Sequence, residues 1–290
     1  MQFRRAQLVL TALITIYGHQ MTAQSQAVGR PVAIDKLPSG SLYVLDAQGA
    51  VHAIDFPGGK PAVTGSFHFP PGWAASDLVS AQRSSQNILF CAYNVGLTGE
   101  VILFSPTGSQ LKWWRFQNGV AGITYDSSNS ILYVASGRTS EIFRINLSIG
   151  SGQEFFAEIP GSQRLGPILF DSKDNSLFVG DYVMGVIYKL DIVRRRATVL
   201  FGGLGRPSAM KLSEDQSSLF VADERDRKVV IYSIAQSSSV PKTFAKIPQF
   251  RSPSGLALID GGLAVSDDGA EKVFILSKTG NLQGTVPATP

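Results

Sequence analysis

The sequence predicts an all-β fold, a six-bladed β-propeller with four antiparallel strands in each blade, behind an N-terminal signal peptide. Three observations predict it: a short apolar segment recurs six times, the copies begin 42 to 47 residues apart, and residues 28–290 show no sustained helical periodicity. With 44% apolar and 17% charged residues, the composition is that of a globular protein and excludes disordered and collagen-like chains.

Residues 1–27 have the three parts of a secretory signal peptide. Arg4 and Arg5 come first, an apolar run of about twelve residues follows, and small and polar residues end the segment. The run is shorter than the roughly 20 residues that a membrane-spanning helix needs. Cleavage is expected after Ala27, with Ala23 as the alternative site and an uncleaved anchor as the alternative interpretation. The segment predicts a secreted or periplasmic protein that is not attached to a membrane after cleavage.

The recurring segment starts with leucine, continues with apolar and small residues, and in four copies ends in aspartate. Its copies begin at Leu42, Leu89, Leu132, Leu177, Leu219 and Leu263. Short runs of this composition, separated by turns rich in Gly, Ser, Asn and Asp, are typical of strands. The segment is therefore expected to be the second strand of each blade.

Three further strands complete each repeat. In the fifth repeat a first strand is expected at Pro207–Leu212 and a third at Val229–Ile234, and weaker fourth strands follow, as at Ala197–Phe201 in the fourth repeat. Four strands repeated about every 44 residues are the arithmetic of a propeller. The blades are expected at about residues 30–70, 74–117, 119–161, 164–205, 206–250 and 251–290. Each blade is either continuous in sequence, or residues 24–30 add an outer strand to the last blade.

The fifth and sixth repeats carry a family resemblance. Pro207–Leu212 followed by Leu219–Asp223 and Lys228–Tyr232 resembles the NHL repeat and the blades of SMP-30/gluconolactonase-like propellers, and Pro253–Leu258 with Leu263–Asp267 is similar. The resemblance spans about residues 30–287. It implies a propeller but no particular activity, because this architecture carries many functions.

The lactonase branch of that family implies a divalent metal held at the starts of the innermost strands. The matching positions in this chain are Val32, Asp77, Ala121, Gly166, Ser208 and Ser254. Only Asp77 is a good ligand, whereas Ca²⁺ takes six to eight oxygens. The sequence therefore predicts neither a metal centre nor a cofactor, with Asp77 as a weak candidate. His52 and His68 have no visible orienting partner, so no catalytic residue is predicted.

The net charge of the chain is too small to indicate a highly charged partner. Without Arg4 and Arg5 the net charge falls from +4 to +2, so nucleic acid is not expected as a partner. The run Arg194–Arg196 is interpreted as a solvated turn. Cys91 lies inside an apolar strand, where a buried and unreactive thiol is expected.

One face of the ring is expected to combine charged and aromatic residues. Aspartates end second strands at Asp46, Asp181, Asp223 and Asp267, and arginines precede first strands at Arg30, Arg164, Arg206 and Arg251. Each aspartate either caps its loop or pairs with an arginine, or some guanidinium groups stay free to bind carboxylate or phosphate. The aromatic stretch Phe67–Trp73 either offers ring faces to a sugar or peptide or packs against the blade. Tyr93 and Tyr182 are expected on the same rim, where they would add to either site.

We therefore predict a monomeric exported binding module. Its ligand would be a small anion, a sugar, a peptide or a partner protein, held at the rim of the channel mouth. The alternative is a metal-dependent, lactonase-like hydrolase or lyase of the SMP-30/gluconolactonase group with a non-standard site.

Overall fold

The computed structural model describes residues 30–37, 40–56, 62–68, 73–235 and 240–287. In this part of the chain, consecutive strands form six separate sheets of four antiparallel strands each. The predicted signal peptide lies outside the described residues, as does the alternative strand at 24–30 except for Arg30. The described residues contain no helix that is long and apolar enough to cross a membrane.

The strands follow one another along the chain, four to a blade. Blade 1 contains β1 (Pro31–Lys36), β2 (Leu42–Asp46), β3 (Ala50–Asp55) and β4 (Ala62–His68). Blade 2 contains β5 (Ala74–Arg83), β6 (Gln86–Val95), β7 (Thr98–Phe104) and β8 (Gln110–Phe116). Blade 3 contains β9 (Val120–Asp126), β10 (Ile131–Ser136), β11 (Glu141–Asn146) and β12 (Gln153–Glu158).

The second half of the ring repeats the arrangement. Blade 4 contains β13 (Leu165–Asp171), β14 (Ser176–Asp181), β15 (Val186–Asp191) and β16 (Arg196–Phe201). Blade 5 contains β17 (Pro207–Leu212), β18 (Ser218–Asp223), β19 (Lys228–Ser233) and β20 (Lys242–Ala245). Blade 6 contains β21 (Pro253–Ile259), β22 (Gly262–Asp267), β23 (Lys272–Ser277) and β24 (Leu282–Pro287).

Every described blade is continuous in sequence. In blade 6 the outer strand β24 pairs with β23, with Val286 opposite Val273, so the C-terminal segment itself completes the last sheet. The ring closes where β1 packs against β21. Closure therefore depends on packing between two complete sheets rather than on exchange of a strand.

Six clusters of buried apolar side chains hold the blades together, one between each pair of neighbours. The cluster that closes the ring joins Ile34 and Val44 of blade 1 to Ala257 and Val273 of blade 6. The leucines of the recurring segment are 0–1% exposed. Because one sheet cannot cover both of its own faces, stacking around the whole ring buries the apolar surface that stabilises the fold.

The first strand of every blade has the same irregularity near its start. Its pairing with the second strand skips one residue, or two in blade 4, which is the signature of a β-bulge. The residues skipped are Val32, Ser76, Ala121, Gly166 with Pro167, Ser208 and Ser254. All lie where the innermost strands enter the channel from the face that carries the loops between blades.

The channel-facing edges of the first strands have no partner strand, so their backbone groups need other partners. At five of the six junctions between blades, a side chain of the preceding blade bonds one of these groups. Three backbone nitrogens donate to such side chains: Ser80 N to Asp35 Oδ2 (2.8 Å), Ile123 N to Asp77 Oδ2 (2.8 Å) and Phe170 N to Thr124 Oγ1 (2.9 Å). Two serine hydroxyls donate to carbonyl oxygens: Ser208 Oγ to Pro253 O (2.6 Å) and Ser254 Oγ to Pro31 O (2.9 Å). Polar residues in the first strands thus join neighbouring blades.

Replacing Gly255 by alanine should destabilise the closed ring. A Cβ there would lie 2.5 Å from Ser266 Oγ of the same blade, 2.9 Å from the Ile34 backbone nitrogen and 3.1 Å from Ala33 Cα. The serine hydroxyl can rotate away, but the backbone of β1 cannot, so β1 and β21 would have to separate. We expect a loss of about 1–3 kcal/mol of unfolding free energy in denaturant titrations. Gly284→Ala is the matched control, because nothing lies within 4 Å of its added Cβ. Equal stability of the two variants would contradict closure through β1 and β21.

Candidate functional site

The six first strands surround a polar cavity of about 190 Å³ at the ring axis. Its lining includes Asp35, Asp77 and Lys211. Lys211 Nζ forms an ion pair with Asp35 Oδ1, so blade 5 contacts blade 1 past the intervening blade 6. The other carboxylate oxygen of Asp35 accepts hydrogen bonds from both the backbone nitrogen and the hydroxyl of Ser80. This channel cluster therefore connects three blades.

Asp77, the weak metal candidate, has both carboxylate oxygens engaged by backbone N–H groups. Oδ1 accepts from Leu78 and Oδ2 from Ile123, each at 2.8 Å. Burial raises the pKa of Asp77 to about 7, and nearby Asp35 adds to the increase. Among the residues that the structure describes, no group of three or more His, Cys, Asp or Glu side chains is placed to hold a metal ion.

The four predicted rim aspartates are buried, with exposed fractions of 0–4%. In blades 4, 5 and 6 their oxygens accept hydrogen bonds from the loop before the first strand and from the loop after the second. Asp267 accepts from the backbone nitrogens of Arg251, Ser252 and Ala270, each at 2.8 Å. Asp223 accepts from Gly205 N and Arg206 N at 2.9 Å. These carboxylates cap the loops of their own blades.

Asp181 is the most heavily engaged of the four. It accepts hydrogen bonds from Ser162 Oγ and Gln163 N at 2.7 Å, and from Val183 N and Met184 N at 2.8 Å. Burial alone would raise the pKa of Asp181, but these hydrogen bonds outweigh it and lower the pKa below its ordinary value. The carboxylate therefore stays ionised and holds the two loops together.

Asp46 has a different partner in blade 1. It accepts from Gln48 N and Ala50 N, and its Oδ2 lies 2.9 Å from Nε2 of the buried His52. His68 is exposed and its ring centroid lies 6.4 Å from that of His52. The expectation that His52 has no orienting partner is therefore wrong, because the loop-capping carboxylate of Asp46 contacts its ring. Neither residue lines the channel cavity.

The four predicted arginines fall into different environments, and none donates a side-chain hydrogen bond to a rim aspartate. Arg30 makes two hydrogen bonds to Asp268, of 3.0 and 2.9 Å, and this partner raises the pKa of Arg30. Arg251 Nη1 donates to Pro248 O at 3.4 Å. The regular alternation of opposite charges in the sequence therefore does not become a regular set of ion pairs.

Arg164 and Arg206 instead meet around Tyr182, at the junction of blades 4 and 5. Their Cζ atoms lie 5.2 and 4.8 Å from the centroid of the Tyr182 ring. Tyr182 donates its hydroxyl hydrogen bond to Glu224 Oε2 (2.9 Å), and Arg206 Nη1 lies 3.3 Å from Glu224 Oε1. Arg164 Nε donates to Gly137 O at 3.2 Å. We refer to Arg164, Tyr182 and Arg206 as the arginine–tyrosine cluster.

Charge is unevenly balanced in the arginine–tyrosine cluster. Arg206 has Glu224 as an ion-pair partner, whereas Arg164 has no carboxylate within ion-pair distance in the described part of the chain. Both arginines remain in contact with solvent. Burial raises the pKa of Tyr182, and its hydrogen bond to Glu224 raises it further, so the phenol stays neutral. The cluster therefore contains one solvent-exposed cation, Arg164, that no carboxylate pairs with in the described part of the chain.

The aromatic candidates of blade 2 are packed rather than displayed. Tyr93 is completely buried, so its predicted place on the rim surface is corrected to the interface between blades 1 and 2. Trp73 packs against the same interface, with its ring centroid 5.9 Å from that of Tyr93. Residues 69–72 of the predicted aromatic stretch lie outside the described residues.

Several contributors to these sites were not singled out from the sequence. Asp268 and Glu224 each follow a rim aspartate directly, and that adjacency was the available signal. Asp35 and Lys211 are the charged residues at equivalent positions of two first strands, opposite Tyr43 and Phe220 of the second strands. A charge at a position that is otherwise apolar or small could have revealed the channel cluster.

Comparison with known proteins identifies the fold. No protein-family model matches the chain, and the search of curated proteins found no match. A structure of the nidogen/laminin complex superposes with a TM-score of 0.71 at 13% identity, covering 86% of this chain and 93% of the other. A Bacteroides thetaiotaomicron protein of unknown function gives 0.68 at 13% identity, with coverages of 88% and 71%.

A third solved structure is a catalytically inactive variant of virginiamycin B lyase from Staphylococcus aureus with quinupristin. It superposes with a TM-score of 0.64 at 18% identity, covering 92% of this chain and 87% of the other. The chain is a six-bladed β-propeller. At these identities the propeller shares its fold with binding and lyase proteins, and its site must be argued from its own residues.

Protonation of Asp77 should make the stability of the propeller depend on pH. Its pKa is about 7 in the folded protein and about 3.9 in an unfolded chain, so between these values the folded state holds an extra proton. Stability should therefore fall as pH rises from about 4 to about 7, by on the order of 3 kcal/mol from this residue. We expect Asp77→Asn to remove that component when unfolding free energy is measured from pH 4 to 8. An unchanged pH profile in the variant would contradict the assignment.

Proposed function

We propose that the protein is an exported binding module that holds a small anionic ligand at the arginine–tyrosine cluster. The observation that carries this proposal is the state of Arg164, which lies beside a second arginine and has no carboxylate partner among the described residues. The nearest rim aspartates, Asp181 and Asp223, cannot take that role because backbone groups occupy their oxygens.

The chemistry of the cluster suits an anion. Both guanidinium groups lie near one ring, so their Cζ atoms are no more than 10 Å apart. A carboxylate or phosphate accepts two parallel hydrogen bonds from a guanidinium group. Contact with the Tyr182 ring limits the freedom of both side chains, which lowers the entropy lost on binding. An anion beside Arg164 would gain attraction from Arg206, which Glu224 offsets in part.

Export and the NHL or SMP-30-like relationship belong to this proposal. They rest on the N-terminal segment and on the repeat pattern of blades 5 and 6. The alternative, a lactonase-like hydrolase or lyase that depends on a metal, makes a different prediction for the purified protein. It requires stoichiometric divalent metal and a melting temperature that falls on chelation. Elemental analysis with a chelator titration separates the two functions.

Replacing both Arg164 and Arg206 by glutamine should weaken anion binding strongly without unfolding the protein. Both side chains contact solvent, and each charge-assisted hydrogen bond contributes about 1.5–3 kcal/mol, so the affinity should fall about 10- to 100-fold or more. The measurement is an NMR titration with acetate and with inorganic phosphate that follows the backbone amide resonances of Tyr182 and Val183 in both proteins, and the Nε–Hε resonances of Arg164 and Arg206 in the wild type.

Arg30→Gln is the matched control for this titration. Arg30 occupies the equivalent position in blade 1, but its guanidinium group is already paired with Asp268. Its replacement should leave the affinity within about twofold of the wild type. Equal losses in the control and the double variant would show a general effect of charge, and no shift at Arg164 or Arg206 in the wild type would refute the site.

A further inference from the structure

Two exposed apolar side chains lie beside the arginine–tyrosine cluster. Val183 and Met184 follow Tyr182 directly in the loop between β14 and β15, and their exposed fractions are 54% and 46%. Contiguous exposed apolar side chains rimmed by polar groups mark interaction sites, whereas single exposed apolar residues are common. The pair needs an explanation because nothing in the fold of blade 4 covers it.

The backbone of this apolar pair is rigidly placed. Asp181 accepts hydrogen bonds from the backbone nitrogens of both Val183 and Met184 at 2.8 Å. The same carboxylate accepts from Gln163 N, the residue before Arg164, and Tyr182 N donates to Arg164 O at 2.9 Å. One buried carboxylate therefore fixes the apolar pair and the cationic group relative to each other.

The other side of the loop is held equally closely. Leu204 N donates to Gly185 O at 3.1 Å, and a Cβ on Gly185 would lie 1.9 Å from Leu204 O. Gly185 also has a φ of +65°, which favours glycine. The strand after this contact begins beside Arg206, so the loop carrying Val183 and Met184 sits between the segments that carry the two arginines.

We infer that the ligand of this site is an amphiphilic anion, with a carboxylate or phosphate head at the arginines and an apolar group of several carbon atoms on Val183 and Met184. This inference rests on the proposed function and adds the class of ligand. A head group alone would leave the apolar pair in water, whereas an attached alkyl or aromatic group would cover it and gain hydrophobic free energy.

The test compares anions that differ only in their apolar group. Dissociation constants are measured for acetate and hexanoate, and for inorganic phosphate and hexyl phosphate, by NMR titration of the full chain. Burial of about two methylene groups should make the alkyl anions bind roughly tenfold more tightly than the short ones. The carboxylate and phosphate series together show which head group the arginines prefer.

Variants then locate the apolar contact. In the double variant Val183→Thr with Met184→Gln, which keeps side-chain size, the roughly tenfold advantage of the alkyl anions should disappear while acetate and phosphate bind as in the wild type. Leu97→Gln is the matched control, because Leu97 is 65% exposed on the equivalent loop of blade 2. It should leave all four affinities unchanged.

The outcomes separate this inference from the proposed function. If acetate and phosphate bind at the arginines but their alkyl forms bind no more tightly, the amphiphilic ligand is refuted and the anion site stands. If the advantage persists in the Val183 and Met184 variant or is lost in Leu97→Gln, the apolar contact has been placed wrongly. If none of the four anions binds, the proposed function fails and this inference fails with it.

Discussion

A closed ring of sheets leaves six strand edges facing a common channel, and the rest of the structure depends on how their backbone groups are satisfied. A flat sheet would add another strand, but the ring leaves no space for one. Side chains do it instead: Asp35 and Asp77 accept from backbone nitrogens of the next blade, and Ser208 and Ser254 donate to its carbonyl oxygens. These polar channel residues resemble parts of an active site, but their role is structural, because they bond backbone groups of the next blade.

The same principle operates at the rim. The aspartates that end second strands are buried, and an ionised carboxylate is tolerated there only because several backbone N–H groups donate to it. Asp181 and Asp267 each accept three or more such hydrogen bonds. Once these carboxylates are committed to loops, the arginines beside them must find other partners. Among the residues that the structure describes, Arg164 contacts a backbone carbonyl and a tyrosine ring but no carboxylate. The candidate function follows from this unequal distribution of partners.

Most of the fold could be predicted from the period of the sequence. The recurring leucines at Leu42 to Leu263 mark the second strands, because a residue at the centre of a stacked sheet must be apolar in every copy. Of the two structural roles considered for the rim aspartates, loop capping is the one found. That role needs only contacts within a blade, which local sequence spacing determines.

The pairing of the arginines could not be predicted in the same way. Arg30 meets Asp268 across 238 residues and Lys211 meets Asp35 across 176, because ring closure brings distant segments together. Such pairs depend on the shape of two loops from different blades, which no spacing rule encodes. Tyr93 was likewise misplaced, since an aromatic residue at the position of a rim aspartate turns into the apolar interface when no charge keeps it at the loop.

The most direct test of the account is the unfolding free energy of rim aspartate variants. Asp223→Asn and Asp267→Asn each remove the charge from a buried loop cap, and each should lower the unfolding free energy by about 1–3 kcal/mol. Asp260→Asn, at a side chain that is 97% exposed, should change it little. Rim variants as stable as the wild type would show that these carboxylates are not committed to the fold, and the reason given for the missing carboxylate partner of Arg164 would be wrong.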